Sequence, residues 1–282
     1  MQKRLHLFLL LVLTSPTLLA QRDSARNSPE IAFAVDTLPV RPNAHYLRGY
    51  WQDAKTVATR PLHWQGRQFL QAGTVLSAAT LSYFFFDKRI QEAAQTHRND
   101  FTNAVSAFAG PFGGSRTFWV VPGSLFLHGQ VFGNVKTTRV GLLVLESQLL
   151  SGVVVQALKV GLGRKRPYES NSPPEWVGPS LRGFHSFPSG HSQAAFALAT
   201  VVALEFRDAR AVPPIAYGVA TLTALSRING NDHWLSDVIV GSTLGHFIAK
   251  TIVRRHPETG RSSPEFSLFV DPMGRPGVVW RF

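Results

Sequence analysis

Residues 188–206 read PSGHSQAAFALATVVALEF. Pro188-Ser189-Gly190-His191 leads straight into an apolar run, Ala194 to Phe206, which reads as a helix. The first turn of a helix has backbone N–H groups without helical partners, and they point at whatever anion sits there. A glycine at that start lets the anion approach closely, and Ser189 adds a hydroxyl donor. The stretch therefore reads as an anion cradle at a helix start.

Two further stretches supply charge and acid–base groups. Residues 159–167, KVGLGRKRP, carry Lys159 and Arg166 followed by Pro167. Residues 226–237, SRINGNDHWLSD, carry Ser226, Arg227, His233 and Asp237. A phosphoryl group in transfer spreads negative charge over three oxygens, so its catalysis is mostly positioning and electrostatics. Arg166 and Arg227 offer planar forks that match phosphate oxygens, and Lys159 offers a point charge. One imidazole can attack phosphorus and a second can protonate the leaving oxygen. His233 and Asp237 are spaced to share a helix face. The carboxylate would then bind one ring nitrogen and leave the other free. Asn229-Gly230-Asn231-Asp232 reads as a turn, with Asp232 as a candidate helix cap.

Six apolar runs, at about 66–86, 117–133, 139–160, 191–207, 211–226 and 233–253, predict an all-α fold, a six-helix bundle without internal repeat. Gly and Pro clusters separate the runs, notably Gly110-Pro111-Phe112-Gly113-Gly114 and the loop 163–190. The three motifs fall at the end of the third run, the start of the fourth, the end of the fifth and the start of the sixth. Antiparallel neighbours would bring those four ends to one end of the bundle.

The order Lys, six residues, Arg-Pro; Pro-Ser-Gly-His; Ser-Arg, five residues, His, three residues, Asp resembles the type 2 phosphatidic acid phosphatase (PAP2) superfamily. That superfamily also holds bacterial acid phosphatases and vanadium haloperoxidases. The match is complete at Lys159, Arg166, Pro167, Pro188, Ser189, Gly190, His191, Ser226, Arg227, His233 and Asp237, and firm over about residues 140–250. The resemblance implies a helical bundle and a phosphatase acting on phosphate monoesters or diphosphates, of lipids above all. It implies His233 as nucleophile, His191 as general acid and then base, and Asp237 as the residue orienting His233. Lys159, Arg166, Ser189, Gly190 and Arg227 would bind the phosphate, with no metal and no cofactor. The alternatives on the same residues are a non-specific acid phosphatase, a phosphotransferase and a vanadate-bearing haloperoxidase.

Other residues have plainer readings. His185 is expected to be structural, at the mouth of the site. Glu146, inside an apolar run, has two open readings: pairing with a site cation or with Lys159 on its own helix, or a buried structural carboxylate paired elsewhere.

Lys3 and Arg4, an apolar run Leu5–Leu13 and Ala20 before Gln21 have the shape of a secretory signal peptide over residues 1–20. Residues 21–65 read as a polar leader and, from Tyr46 to Trp64, a helix rich in Tyr and Trp that suits a membrane interface or, alternatively, covers a core in water. Residues 66–255 form the expected phosphatase domain. Residues 256–282 form a tail whose alternation predicts a β-hairpin.

The formal net charge is +12 and there are no cysteines. The basic residues are scattered without interleaved aromatics, so a phosphate site and an anionic membrane surface explain the excess, and no nucleic acid partner is expected. Mean hydropathy is only +0.01, and polar residues such as Gln71, Glu146, Gln148 and Gln156 interrupt the apolar runs. The expectation is an exported, membrane-associated enzyme whose site faces the periplasm, with a soluble periplasmic enzyme as the alternative.

Overall fold

The computed structural model describes residues 44–170, 175–181, 183, 185–257, 265–270 and 276–281. The expected signal peptide and the leader up to residue 43 lie outside the described residues. The helices are α1 (Ala44–Thr59), α2 (Gly66–Leu81), α3 (Asp87–Thr96), α4 (Asp100–Ala109), α5 (Ser115–Val131), α6 (Val135–Leu162), α7 (Gly190–Glu205), α8 (Val212–Asn229) and α9 (Leu235–Arg255). The backbone of β1 (Glu265–Val270) pairs antiparallel with that of β2 (Pro276–Arg281), the hairpin expected of the tail.

The helix limits follow from local chemistry. The Asn134 side chain accepts from the Thr137 N–H at 3.0 Å and starts α6. Gly163, at φ +57°, ends it in the left-handed conformation that a glycine adopts without strain. Pro213 and Pro214 stand in the first turn of α8, where their missing N–H groups cost nothing. The six expected runs place no helix between 87 and 116. That segment holds α3, α4 and a 3₁₀ turn, Gly110–Gly113. Its helices are short and amphipathic, so the apolar run that marks a buried helix is absent from them.

The centre of the bundle is α7, packed against α6, α8 and α9. It is buried nearly all round, with Ala194, Ala195, Ala197, Ala199 and Ala203 in the interior. Such small residues let neighbouring backbones come close. At Gly241 of α9 a Cβ would stand 2.3 Å from the carbonyl oxygen of Ser189, and at Gly245 one would stand 2.2 Å from that of Gln193. Only glycine permits that approach, and it locks the start of α9 to the start of α7. Gln148, read above as a polar interruption, is fully buried and donates to the Ala194 carbonyl at 3.3 Å. It ties α6 to α7 rather than facing outward.

A π-helical turn, Ser82–Phe86, joins α2 to α3, so Gly66–Thr96 is one helix of 31 residues. Only 6% of its most apolar window is buried, with Phe69, Leu70, Leu76, Phe84 and Phe85 exposed. Val135–Leu162 is also long and apolar enough to cross a membrane, but 61% of its window is buried in the protein. An exposed apolar helix of that length is unusual for a surface in water.

Candidate active site

The end of α6, the loop after it, the start of α7, the end of α8 and the start of α9 meet at one end of the bundle, as the motif positions predict. Lys159 is buried near the end of α6, and its Nζ donates to the carbonyls of His185 and Ser186, the latter at 3.2 Å. Ser189 caps α7, with its Oγ accepting from the Ser192 N–H at 3.4 Å. Its own N–H donates to the Asp237 carbonyl at 3.0 Å. Gly190 and His191 occupy the first turn, where the free N–H groups lie.

Arg227 lies in the last turn of α8. Its Nη1 stands 3.4 Å from Asp232, and Nη1 of Arg166 stands 3.9 Å from the other oxygen of the same carboxylate. Asp232 therefore steadies both guanidinium groups and is not the helix cap expected of it. The Arg227 fork also lies against Gly110, where a Cβ would stand 2.5 Å from its Nη2. A Cβ at Gly114 would lie 3.9 Å from the His191 Nε2. The Gly-Pro-Phe-Gly-Gly cluster thus forms a wall of the site, although in sequence it reads only as a spacer.

His233 and Asp237 do not share a helix face. His233 precedes α9, and Asp237 lies in its first turn. The Asp237 Oδ2 accepts from the Trp234 N–H at 3.0 Å and from the Ser186 hydroxyl at 2.5 Å, and lies 3.5 Å from the His233 Nδ1. One carboxylate oxygen thus both caps the helix and faces the imidazole. The spacing is as expected; the geometry is a capped turn, because the turn before α9 runs through His233.

Electrostatics separate the titrating groups. Burial pushes His233 below the usual imidazole range against the pull of Asp237. For Asp237, burial works upward, but Arg164, His233 and Ser186 together hold it below the usual carboxylate range. His191 is pushed down to about 4 by burial first, then by Arg227, His233, Arg166 and Lys159. All the motif cations act on His191, so the predicted residues converge on one place.

The largest omission of the sequence reading is Arg164. It is fully buried, pairs with Asp237 Oδ1 through Nη1, and pairs with Asp87 of α3 through Nη2 at 2.7 Å. The rings of Tyr83, Trp176 and Trp234 lie 5.2, 5.1 and 5.5 Å from its Cζ. Within the basic run of residues 164–166 it looks like a surface residue, and Asp87, its first partner, is distant in sequence. Trp176 was available as a signal, since a tryptophan in a polar loop needs something to pack against.

Glu146 takes the second of its two readings, a buried carboxylate paired away from the site. It lies 13 residues before Lys159 on α6, which is about 20 Å along the helix. Its partners are at the opposite end of the bundle, where the side-chain ligand atoms of Asp53, Glu146 and His256 lie within 4.8 Å of one another. His185 accepts the structural reading: its Nε2 is 3.1 Å from the Ser180 carbonyl.

A family model described as the PAP2 superfamily matches residues 140–261. The lipid A 1-phosphatase of Porphyromonas gingivalis is 36% identical over 102 residues, covering 36% of this chain and 20% of that protein. The match to that relative thus spans about a fifth of its length. The lipid A 1-phosphatase of Rhizobium etli is 26% identical over 200 residues, covering 66% of this chain and 82% of that protein. Among solved structures, LpxE of Aquifex aeolicus aligns at 20% identity with a TM-score of 0.48, covering 61% of this chain and 96% of that one. A transmembrane PAP2 type phosphatidylglycerolphosphate phosphatase of Bacillus subtilis aligns at 20% identity and 0.45, covering 77% and 96%.

Proposed function

We propose, on the premise that residues 140–261 belong to the PAP2 superfamily, that the protein is a lipid phosphatase working through a phosphohistidine on His233. The observation that carries this reading is the pairing of Asp237 with the His233 Nδ1, beside a histidine that feels Lys159, Arg166 and Arg227 together. The Asp237 contact fixes the tautomer and leaves Nε2 to attack. The Nε2–phosphorus bond forms as the phosphorus–oxygen ester bond breaks, and His191 gives its proton to the departing oxygen. His191 then takes a proton from water, whose oxygen bonds to phosphorus as the nitrogen–phosphorus bond breaks.

The cations fit the charge distribution of that transfer. Arg166 and Arg227, steadied by Asp232, hold equatorial oxygens in forks, and Lys159 adds a buried ammonium. Ser189 and the first N–H groups of α7 complete the cradle. His191 is neutral near pH 7 before substrate arrives, since it sits at about 4. A dianionic phosphate offsets the cations that depress it and lets it carry the proton that it must donate.

The names of the relatives make a phosphorylated glycolipid of the lipid A type the first substrate to test, with phosphatidic acid-like and polyprenyl diphosphate-like lipids next. The exposed apolar helix Gly66–Thr96 supports work at a membrane, and the basic-then-apolar stretch of residues 3–13 supports export; a site facing the periplasm belongs to the same proposal. The test is phosphate release from lipid A 1-phosphate, phosphatidic acid and p-nitrophenyl phosphate, with and without detergent, in the presence of chelator. Chelator-indifferent release that prefers a lipid is expected. No release from any of the three would overturn the reading.

A further inference from the structure

Asp87 lies outside every motif and belongs to the exposed apolar helix, yet it is fully buried. Each of its oxygens is engaged twice. Oδ1 accepts from the Ser236 N–H at 2.8 Å and from the Ser82 hydroxyl at 2.9 Å. Oδ2 accepts from the Ser236 hydroxyl at 2.5 Å and from Arg164 at 2.7 Å. Arg164 in turn holds the Asp237 oxygen that does not face His233. The chain Ser82–Asp87–Arg164–Asp237–His233 runs unbroken from the outer helix to the imidazole, and tyrosine and tryptophan rings shield its guanidinium.

The charges matter as much as the contacts. With Arg164 alone beside it, Asp237 would sit in a neutral pair and give His233 little help. Asp87 offsets Arg164, so the three groups sum to one negative charge, and that charge faces the imidazole. The need is plain, because an imidazole bonded to phosphorus becomes cationic in a site already crowded with cations.

We propose that Asp87 is a positioning residue for catalysis, which through Arg164 orients Asp237 and preserves its negative charge for His233. The inference rests on the phosphatase reading given above. It also makes the apolar helix part of the catalytic apparatus, since Asp87 follows directly on its π turn.

The test is Asp87→Asn, with kcat, KM and the pH profile of kcat/KM measured on the best substrate of the parent. His233 also faces Lys159 of α6, Arg166 in the loop after it, Ser186 and His191 of α7, all unchanged in the variant. The expected result is a kcat lower by ~10–100-fold with KM within about threefold. Removing a negative charge makes the imidazolium less stable, so the acid limb should move to lower pH by about half a unit or more. A purely structural role would leave that limb in place. Parental kcat in a folded variant, a loss confined to KM, or an unmoved limb would overturn the proposal. If the variant does not fold, Ser82→Ala decides: a severalfold lower kcat at unchanged KM supports the relay, and parental kcat overturns it. An inactive parent would instead sink the phosphatase reading itself.

Discussion

Two ionic clusters stand at opposite ends of the bundle. At the far end, Arg139 holds Glu205 with both contacts at 3.0 Å, and Asp53 holds Arg255 and, at 2.6 Å, His256, with Glu146 3.9 Å from the same histidine. Two guanidiniums and the His256 ring contact the three carboxylates, and the cluster ties α1, α6, α7 and the end of α9 together. At the near end the sum differs. Lys159, Arg164, Arg166 and Arg227 face Asp87, Asp232 and Asp237, and Lys159 donates to main-chain carbonyls. Cations held by carboxylates of neighbouring helices close a structure, whereas surplus positive charge backed by a carboxylate–imidazole pair makes a place for an anion.

Substitutions should therefore split by end. His233→Ala should lower kcat by at least about a thousandfold while the folded fraction and Tm hold, since the nucleophile is lost and nothing replaces it. Substantial turnover in that variant would break the distinction at its strongest point. Asp237→Asn should cost ~10²–10⁴-fold in kcat, because a neutral amide no longer stabilises the imidazolium. Arg166→Ala should instead appear largely in KM for the phosphate ester, at about 2 kcal/mol or about thirtyfold. At the far end Arg139→Ala should leave kcat within about twofold but lower Tm by roughly 6–12 °C, from about 3 kcal/mol for an unpaired Glu205. A kinetic effect of Arg139→Ala larger than its effect on Tm would blur the comparison.

The subtlest expectation concerns protons. His191 sits at about 4 in the free protein because of burial and the site cations. An anion that offsets those cations raises it, so phosphate or vanadate binding near pH 6 should take up protons. Calorimetry in buffers of different ionisation enthalpy reads that uptake, and His191→Ala should abolish it. Proton release on binding would reverse the assigned sign.

Much of the near end was legible in the sequence because its residues come in three contiguous stretches. Lys159, Arg166, Ser189, Gly190, His191, Arg227, His233 and Asp237 were all named from spacing, and the helix ends that carry them meet as expected. What escaped is long-range. Arg164 is surrounded by basic residues and looks solvated; its carboxylate partners Asp87, four helices earlier, and Asp237, two helices later, explain its burial. Asp232 reads as a cap because a turn precedes a helix, yet two guanidiniums claim it first. Glu146 keeps two readings open in sequence, because an apolar run shows a charge but not which neighbour waits there. The loop 87–116 hid two helices, since short amphipathic segments carry no strong period.

The proposed cycle passes through a covalent bond between His233 and phosphorus. Rapid acid-free quenching of the enzyme with a ³²P-labelled lipid phosphate, followed by peptide mapping, tests it directly. Label is expected on the peptide holding His233, stable to base, labile to acid and missing from His233→Ala. Steady turnover with no trapped label at any quench time, or label that persists in His233→Ala, would contradict it.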